Sequence, residues 1–168
     1  MKRGAALVCF AAVIICGVMA TAQQDTTSGE SSIELGATVG LFWFTDTPQL
    51  ATVGVVLGVA VSPGLGMRVS GSRAAVSLFG FELLSVTVVS VSICAELTPG
   101  NSIGLYLLGG GSYIMANALG VGLSGLGAHA GIGLRVTPTP TLKFFAEYCP
   151  HIKNDLMHAA KAGVSVIF

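Results

Sequence analysis

The chain has 168 residues, of which 52% are hydrophobic and 10% charged, and its formal net charge is zero. A neutral chain with so few charges has no field that would attract a polyanion, so nucleic acid is excluded as an expected partner. The apolar composition at this length fits one compact domain or a membrane protein.

The amino-terminal residues have the pattern of a cleavable signal peptide over residues 1–22. Lys2 and Arg3 form a short positive region, an uncharged apolar run follows at 5–19, and 20–22 is a small-residue Ala-Thr-Ala cleavage site. We predict cleavage after Ala22 and a short periplasmic tail over 23–31.

Two alternatives to cleavage remain open for this segment. The first is an uncleaved membrane anchor, although the apolar run is shorter than the ~20 residues that a spanning helix needs. The second is lipoprotein processing at Cys16, where the bulky Ile15 replaces the small residue that such a site normally has. Under either alternative, the remaining domain is expected over 32–168.

An alternation with period two dominates the next part of the chain and predicts β-strands. In 51–62, apolar side chains take the odd positions and small or polar ones nearly every even position, with Val56 as an exception. The segment from Ile33 to Trp43 repeats the pattern, with its apolar residues at odd positions and small or polar ones at Ser32, Glu34, Gly36, Thr38 and Gly40. A bundle of inner-membrane helices is the rival interpretation, because 102–134 is nearly free of charge and contains G-x-x-x-G spacings. However, helix packing gives no reason for residues at i+2 to be small as well.

Three proline-centred segments, 62–65, 98–101 and 137–140, have tight-turn sequences. Each interval between them, and each flanking segment, can hold two strands joined by a loop at 45–50, 78–83, 114–120 or 150–157. The fold predicted is therefore all-β, an eight-stranded antiparallel up-and-down transmembrane β-barrel. Its strands are expected at 32–44, 51–62, 66–76, 84–97, 102–113, 121–136, 141–149 and 158–168.

Eight strands enclose an interior that side chains can just fill, and the alternation directs charged groups into it. Because charges at membrane depth must pair or meet water, we predict salt bridges there. We interpret the lower group as a structural plug, with a selectivity gate as the alternative. A floor near the periplasmic end contains Glu34, Arg68, Glu96, Arg135 and Lys143, and a second tier contains His129, Glu147 and Lys161.

Above the floor, the inward positions become more apolar and predict either a small pocket open to the outside or ordinary filling of a narrow barrel. These positions are Val56, Val86, Val88, Tyr106, Leu108 and Phe145. The register between 71 and 88 stays open, because strict alternation places Arg73, Ser85 and Thr87 on the lipid face. A bulge or an early exit from the membrane would account for them.

The sequence contains no recognisable catalytic or ligand motif. No serine lies in a G-x-S-x-G elbow, no phosphate loop precedes a lysine, and His129, His151 and His158 lack ligand-like spacing. We predict no enzyme, metal or cofactor, with an acid/base site at Glu147 and His129 as the alternative. Cys94 and Cys149 could form a disulfide in an exported protein, but we expect them at different heights and unpaired.

The final strand ends on Phe168, where an aromatic side chain would meet the membrane interface. Together with the signal peptide and eight alternating segments, it resembles the small bacterial outer-membrane barrels of the OmpA, OmpX and OmpW group. The resemblance implies residence in outer-membrane lipid and a barrel-assembly machinery that reads Val164, Val166 and Phe168. It also implies limited passage or binding of small solutes, including apolar ones. The alternative is a structural or host-interacting surface barrel, and nothing specifies an oligomeric state.

Overall fold

Within the residues described by the computed structural model, 32–44, 49–79, 81–152 and 156–168, all regular elements are strands. No helix in these ranges is long and apolar enough to cross a membrane. The signal peptide and tail predicted over 1–31 lie outside them. The strands are β1 (Ile33–Phe44), β2 (Leu50–Ser62), β3 (Leu65–Leu78), β4 (Phe81–Glu96), β5 (Ile103–Ala118), β6 (Val121–Thr139), β7 (Leu142–Tyr148), β8 (His151–Ile152) and β9 (Leu156–Ile167).

The sheet closes on itself. Consecutive strands pair antiparallel from β1 to β7, and β1 also pairs with β9 from Glu34↔Ile167 to Phe44↔Met157. Closure satisfies the backbone groups of both strands that would otherwise be edges. β7 and β8 form one barrel strand, since both pair with β6 on one side and β9 on the other. Pro150, which has no N–H, lies at the interruption. The predicted eight-stranded antiparallel barrel is confirmed.

Each end of the barrel has its own set of connections between strands. At one end, here called the turn end, lie Ser32, Phe168 and the short links β2–β3, β4–β5 and β6–β7. At the opposite, loop end, the β3–β4 and β5–β6 hairpins have two-residue connections, and the amide of Leu119 donates to the carbonyl of Leu83 at 3.0 Å. The loops predicted over 78–83 and 114–120 are wrong, because pairing between neighbouring strands continues almost to the tips.

The outer face is an apolar band, as period-two alternation requires. Exposed large side chains on this face include Val39, Val53, Val55, Ile93, Ile103, Leu105 and Leu134. Near the loop end the band meets an aromatic group, in which Trp43 stacks on His158 at 5.3 Å between ring centroids. The hydroxyl of Tyr148 lies 2.6 Å from Nδ1 of the same histidine. Such amphipathic rings are typical of a membrane–water boundary.

The segment whose register was left open contains a bulge between Val76 and Ser77 in the pairing of β3 with β4. Arg73 pairs in register with Thr87 and is exposed on the outer face, where its guanidinium lies 2.5 Å from the carboxylate of Glu82. Lower on the same strands, the outer face carries Met67 and Ile93. The outer surface of this hairpin therefore changes from apolar to polar before its tip.

We expect Gly110→Ala to destabilise the barrel by about 1–3 kcal/mol, the range for overpacking. A Cβ at Gly110 would overlap the backbone carbonyl of Val91, which the sheet holds in place. The matched control is Gly111→Ala on the same strand, because a Cβ there would have no atom within 4 Å. Urea unfolding in lipid bilayers, followed by heat-modifiable gel migration, measures both. Equal midpoints for the two variants would contradict the tight packing at Gly110.

Candidate functional site in the barrel lumen

Arg68 is the central group of the lower lumen. It projects inward from β3, is 5% exposed, and donates to the carboxylates of Glu147 and, at 3.4 Å, Glu34. Its guanidinium carbon also lies 5.0 Å from the ring centroid of Phe145 and 5.5 Å from that of Tyr106. Ion pairs and cation–π contacts both strengthen where water is excluded. Arg68 thus joins carboxylates from different walls of the barrel.

Glu147 links the predicted floor to the predicted second tier. It is 4% exposed and accepts from Arg68 and from the hydroxyl of Tyr106. The amine of Lys161 lies 3.0 Å from its other carboxylate oxygen. Because one carboxylate serves all three donors, the two tiers form one network.

Glu34 is the second carboxylate of this network. It accepts from the amine of Lys143 at 2.5 Å and from the hydroxyl of Ser165 at 2.8 Å, besides its contact with Arg68. The five charged members are Glu34, Arg68, Lys143, Glu147 and Lys161, here called the Arg68 network. It has three cations and two carboxylates, and so one net positive charge.

The other two predicted floor residues form a separate pair. Arg135 donates to Glu96 at 2.8 Å and to the hydroxyl of Thr137 at 3.2 Å. A cavity of about 230 Å³ near the turn end lies between this pair and the Arg68 network. Its polar lining includes Glu34, Arg68, Glu96, Arg135, Thr137 and Lys143. The predicted floor is therefore divided into two groups around a cavity that both charged and apolar side chains line.

A layer of serine and histidine side chains lies next to the Arg68 network. Nε2 of His129 is 2.8 Å from the hydroxyl of Ser92, and Nδ1 of His151 is 3.1 Å from that of Ser112. The two rings face each other with centroids 5.1 Å apart. A void of about 10 Å³ among these groups approaches the smallest space that holds one water. No three metal-ligating side chains converge among the described residues.

The partners of His129 bear on the alternative of an acid/base site. Its ring bonds Ser92, whereas the hydrogen-bonding partners of Glu147 are Arg68 and Tyr106. Within the predicted second tier, Glu147 is paired with Lys161, and the hydrogen bond of His129 goes to Ser92. Sequence reasoning also missed His151 as a lumen residue. His151 lies two residues after the inward-facing Cys149, so the alternation predicts that its side chain also points inward. The predicted loop that begins at Pro150 hid this signal.

An apolar cluster, here called the Phe42 cluster, fills the lumen towards the loop end. Its members are all buried and pack together: Phe42, Ala74, Val86, Val88, Ile114, Met157 and Ala159. Among them, only Val86 and Val88 are predicted lumen residues. The even position of Phe42 on the first strand is a signal for its inward side chain, whereas Met157 lies in the predicted loop 150–157.

The six predicted apolar lining residues are all buried in the structure, but they do not share one height. Tyr106 and Phe145 lie against Arg68 rather than above the floor, because the guanidinium packs on their rings and the phenol hydroxyl bonds Glu147. Leu108 packs with Tyr106 and Cys149. The expected position above the floor is therefore wrong for Tyr106 and Phe145, whereas Leu108 lies in an apolar cluster.

Cys94 and Cys149 are both free thiols. Cys149 belongs to a small cluster with Tyr106 and Leu108, and Cys94 packs against the same cluster. The expectation that they lie at different levels along the barrel axis is therefore wrong. The stagger between strands brings Cys94, near the turn end of β4, level with Cys149, which follows β7.

The terminal strand completes the barrel wall. Val164, Val166 and Phe168 are exposed, and the first two lie on the apolar outer face opposite Ala37 and Leu35. The amide of Phe168 donates to the carbonyl of Ile33 at 2.8 Å, and the amide of Ile33 donates back at 3.2 Å. The last residue is thus part of the closing seam.

Neither a protein-family model nor a curated protein matches the chain. Solved structures do. The N-terminal β-barrel domain of Pseudomonas aeruginosa OprF is 15% identical over 84% of this chain and 100% of that one, with a TM-score of 0.68. Neisserial surface protein A is 15% identical over 81% of this chain and 96% of that one, with a TM-score of 0.63. Ail of Yersinia pestis, in complex with the heparin analogue sucrose octasulfate, is 18% identical over 84% of this chain and 100% of that one, with a TM-score of 0.62. The chain has the fold of small eight-stranded outer-membrane barrels.

We expect Glu147→Gln to lower the free energy of unfolding by about 3–5 kcal/mol, because it leaves Arg68 and Lys161 without their shared buried carboxylate. The matched control is Glu82→Gln, which breaks an exposed pair with Arg73 and should leave stability unchanged. Urea midpoints of both variants in bilayers provide the measurement. If the two substitutions have the same effect, the Arg68 network does not brace the lumen.

Proposed function

We propose that the chain is an integral protein of the bacterial outer membrane, with its turn end in the periplasm and its loop end outside. The apolar outer band, the aromatic group at Trp43 and the likeness to solved outer-membrane barrels support this location. The orientation is part of the proposal and rests on the likeness to outer-membrane barrels, because connection length alone does not distinguish the two ends. In this proposal, the strand ending in Val164, Val166 and Phe168 is the signal read by the barrel-assembly machinery.

We further infer that the protein acts as a closed barrel, with a structural or surface-contact role rather than that of an open pore. One observation carries this inference: the lumen is filled at two successive levels. The first is the Arg68 network, whose central groups are almost fully buried. The second is the Phe42 cluster. The Phe42 cluster opposes the entry of ions and water because it is an apolar constriction. The Arg68 network obstructs the lumen in a different way, because its buried side chains are held across the barrel by ion pairs.

Limited passage of small solutes is the second candidate function. The cavity of about 230 Å³ and the serine–histidine layer favour it, because polar groups line most of the route from the turn end to the Phe42 cluster. Passage would require both the Arg68 network and that cluster to rearrange. An enzymatic role forms no part of the proposal, since His129 bonds Ser92 instead of a carboxylate.

We expect wild-type protein in planar bilayers to show no steady potassium conductance and no glycerol uptake in liposomes. Arg68→Ala and Phe42→Ala should each remain closed, because each leaves the other barrier in place, whereas the double variant should conduct. Arg73→Ala, which removes an exposed cation, is the matched control for charge. Heat-modifiable migration identifies the folded variants. Steady wild-type conductance would reject the closed barrel in favour of solute passage.

A further inference from the structure

Two hairpin tips at the loop end present large apolar side chains that make almost no contact with the barrel. Phe79, in the β3–β4 connection, is 90% exposed, and Leu119, in the β5–β6 connection, is 77% exposed. β4 and β5 are paired neighbours, so the two tips stand on the same side of the barrel mouth. Val121, beside Leu119 on the same hairpin, is 67% exposed. These three residues are here called the tip patch.

Backbone conformation does not account for the choice of these residues. Phe79 has φ of 51° and Leu119 of 49°, in the left-handed region that residues with a Cβ rarely adopt. Asn, Asp and Gly are the residues that favour such turn positions. Phe and Leu here improve neither the turn nor the core.

Polar groups on the outer face mark a level below the tip patch. Arg73 pairs there with Glu82, and the hydroxyl of Tyr113 bonds that of Ser124, although the exposed Leu126 lies opposite Tyr113 and keeps the outer face of the β5–β6 hairpin partly apolar. Phe79 follows Arg73 by six residues, which places it roughly 15 Å higher along a tilted strand. The tip patch therefore extends beyond the level of the exposed ion pair.

We propose that the tip patch inserts into the surface of a second lipid bilayer and so docks the barrel against a neighbouring membrane. The patch exposes roughly 400 Å², about half of what each partner of a specific protein complex contributes. A bilayer needs no complementary shape and accepts isolated apolar anchors. Among the residues that the structure describes, the charges nearest to the patch are Arg73 and Glu82, which neutralise each other, so a zwitterionic surface is the matching one. The inference rests on the proposed orientation with the loop end outside.

The test is co-flotation of the full chain, reconstituted in nanodiscs, with phosphatidylcholine vesicles. We expect wild-type nanodiscs to float with the vesicles equally at 0.1 M and 0.5 M salt. The double variant Phe79→Asn, Leu119→Asn should lose at least tenfold in partition coefficient while folding as well as wild type or better, because Asn suits the left-handed positions. Phe79→Trp should keep the association. Leu97→Asn is the matched control, because it removes a 54% exposed leucine at the turn end.

Three outcomes would overturn the inference. They are absence of wild-type association, equal association of the double Asn variant, and association that needs anionic lipid and disappears at high salt. Nanodiscs expose both ends of the barrel and the readout does not involve the lumen. A negative result would therefore leave the closed-barrel proposal standing, while wild-type conductance would reject that proposal without affecting the docking result.

Discussion

The pairing of β1 with β9 is the constraint on which the rest of the structure depends. A sheet with an open edge would carry unpaired backbone groups into hydrocarbon, so the strands must close. With eight strands, closure leaves an interior only wide enough for side chains. Polar groups placed inside must find partners there, and apolar groups placed outside face lipid. The alternation along each strand, the buried ion pairs and the tight approach at Gly110 all follow from this closure.

Within that narrow interior, Arg68 organises the lower half. It contacts two carboxylates and two aromatic rings that come from β1, β5 and β7. A guanidinium can do this because its planar face stacks while its edge donates. The serine–histidine layer and the Phe42 cluster then fill the remaining length with groups that need progressively less water. The lumen is thus graded from charged to apolar, which supports the proposed closed barrel and limits any passage to rearranged states.

The outer surface has a matching division. Its apolar band ends near Trp43 and Arg73, and the β3–β4 and β5–β6 hairpins continue beyond it with polar pairs and the exposed Leu126 on their outer faces. The tips carry further large apolar side chains. The proposed contact function therefore belongs to the loop end, whereas the lumen acts in stability.

The alternation and the proline-centred turns together determined the strand count, and the alternation determined the inward position of Glu34, Arg68, Glu147 and Lys161, because period two assigns side chains to one of two sides. It did not determine the register over 71–88, where a bulge interrupts the pairing. The level of each residue along the barrel axis was decided only by the tertiary structure, since the stagger between neighbouring strands is not encoded in any one strand. That stagger brought Tyr106 and Phe145 to Arg68, joined Cys94 and Cys149 in one cluster and separated Glu96 and Arg135 from the other charges. The length of the hairpins was decided in the same way, because pairing between strands continues through most of the segments predicted as loops at 78–83 and 114–120.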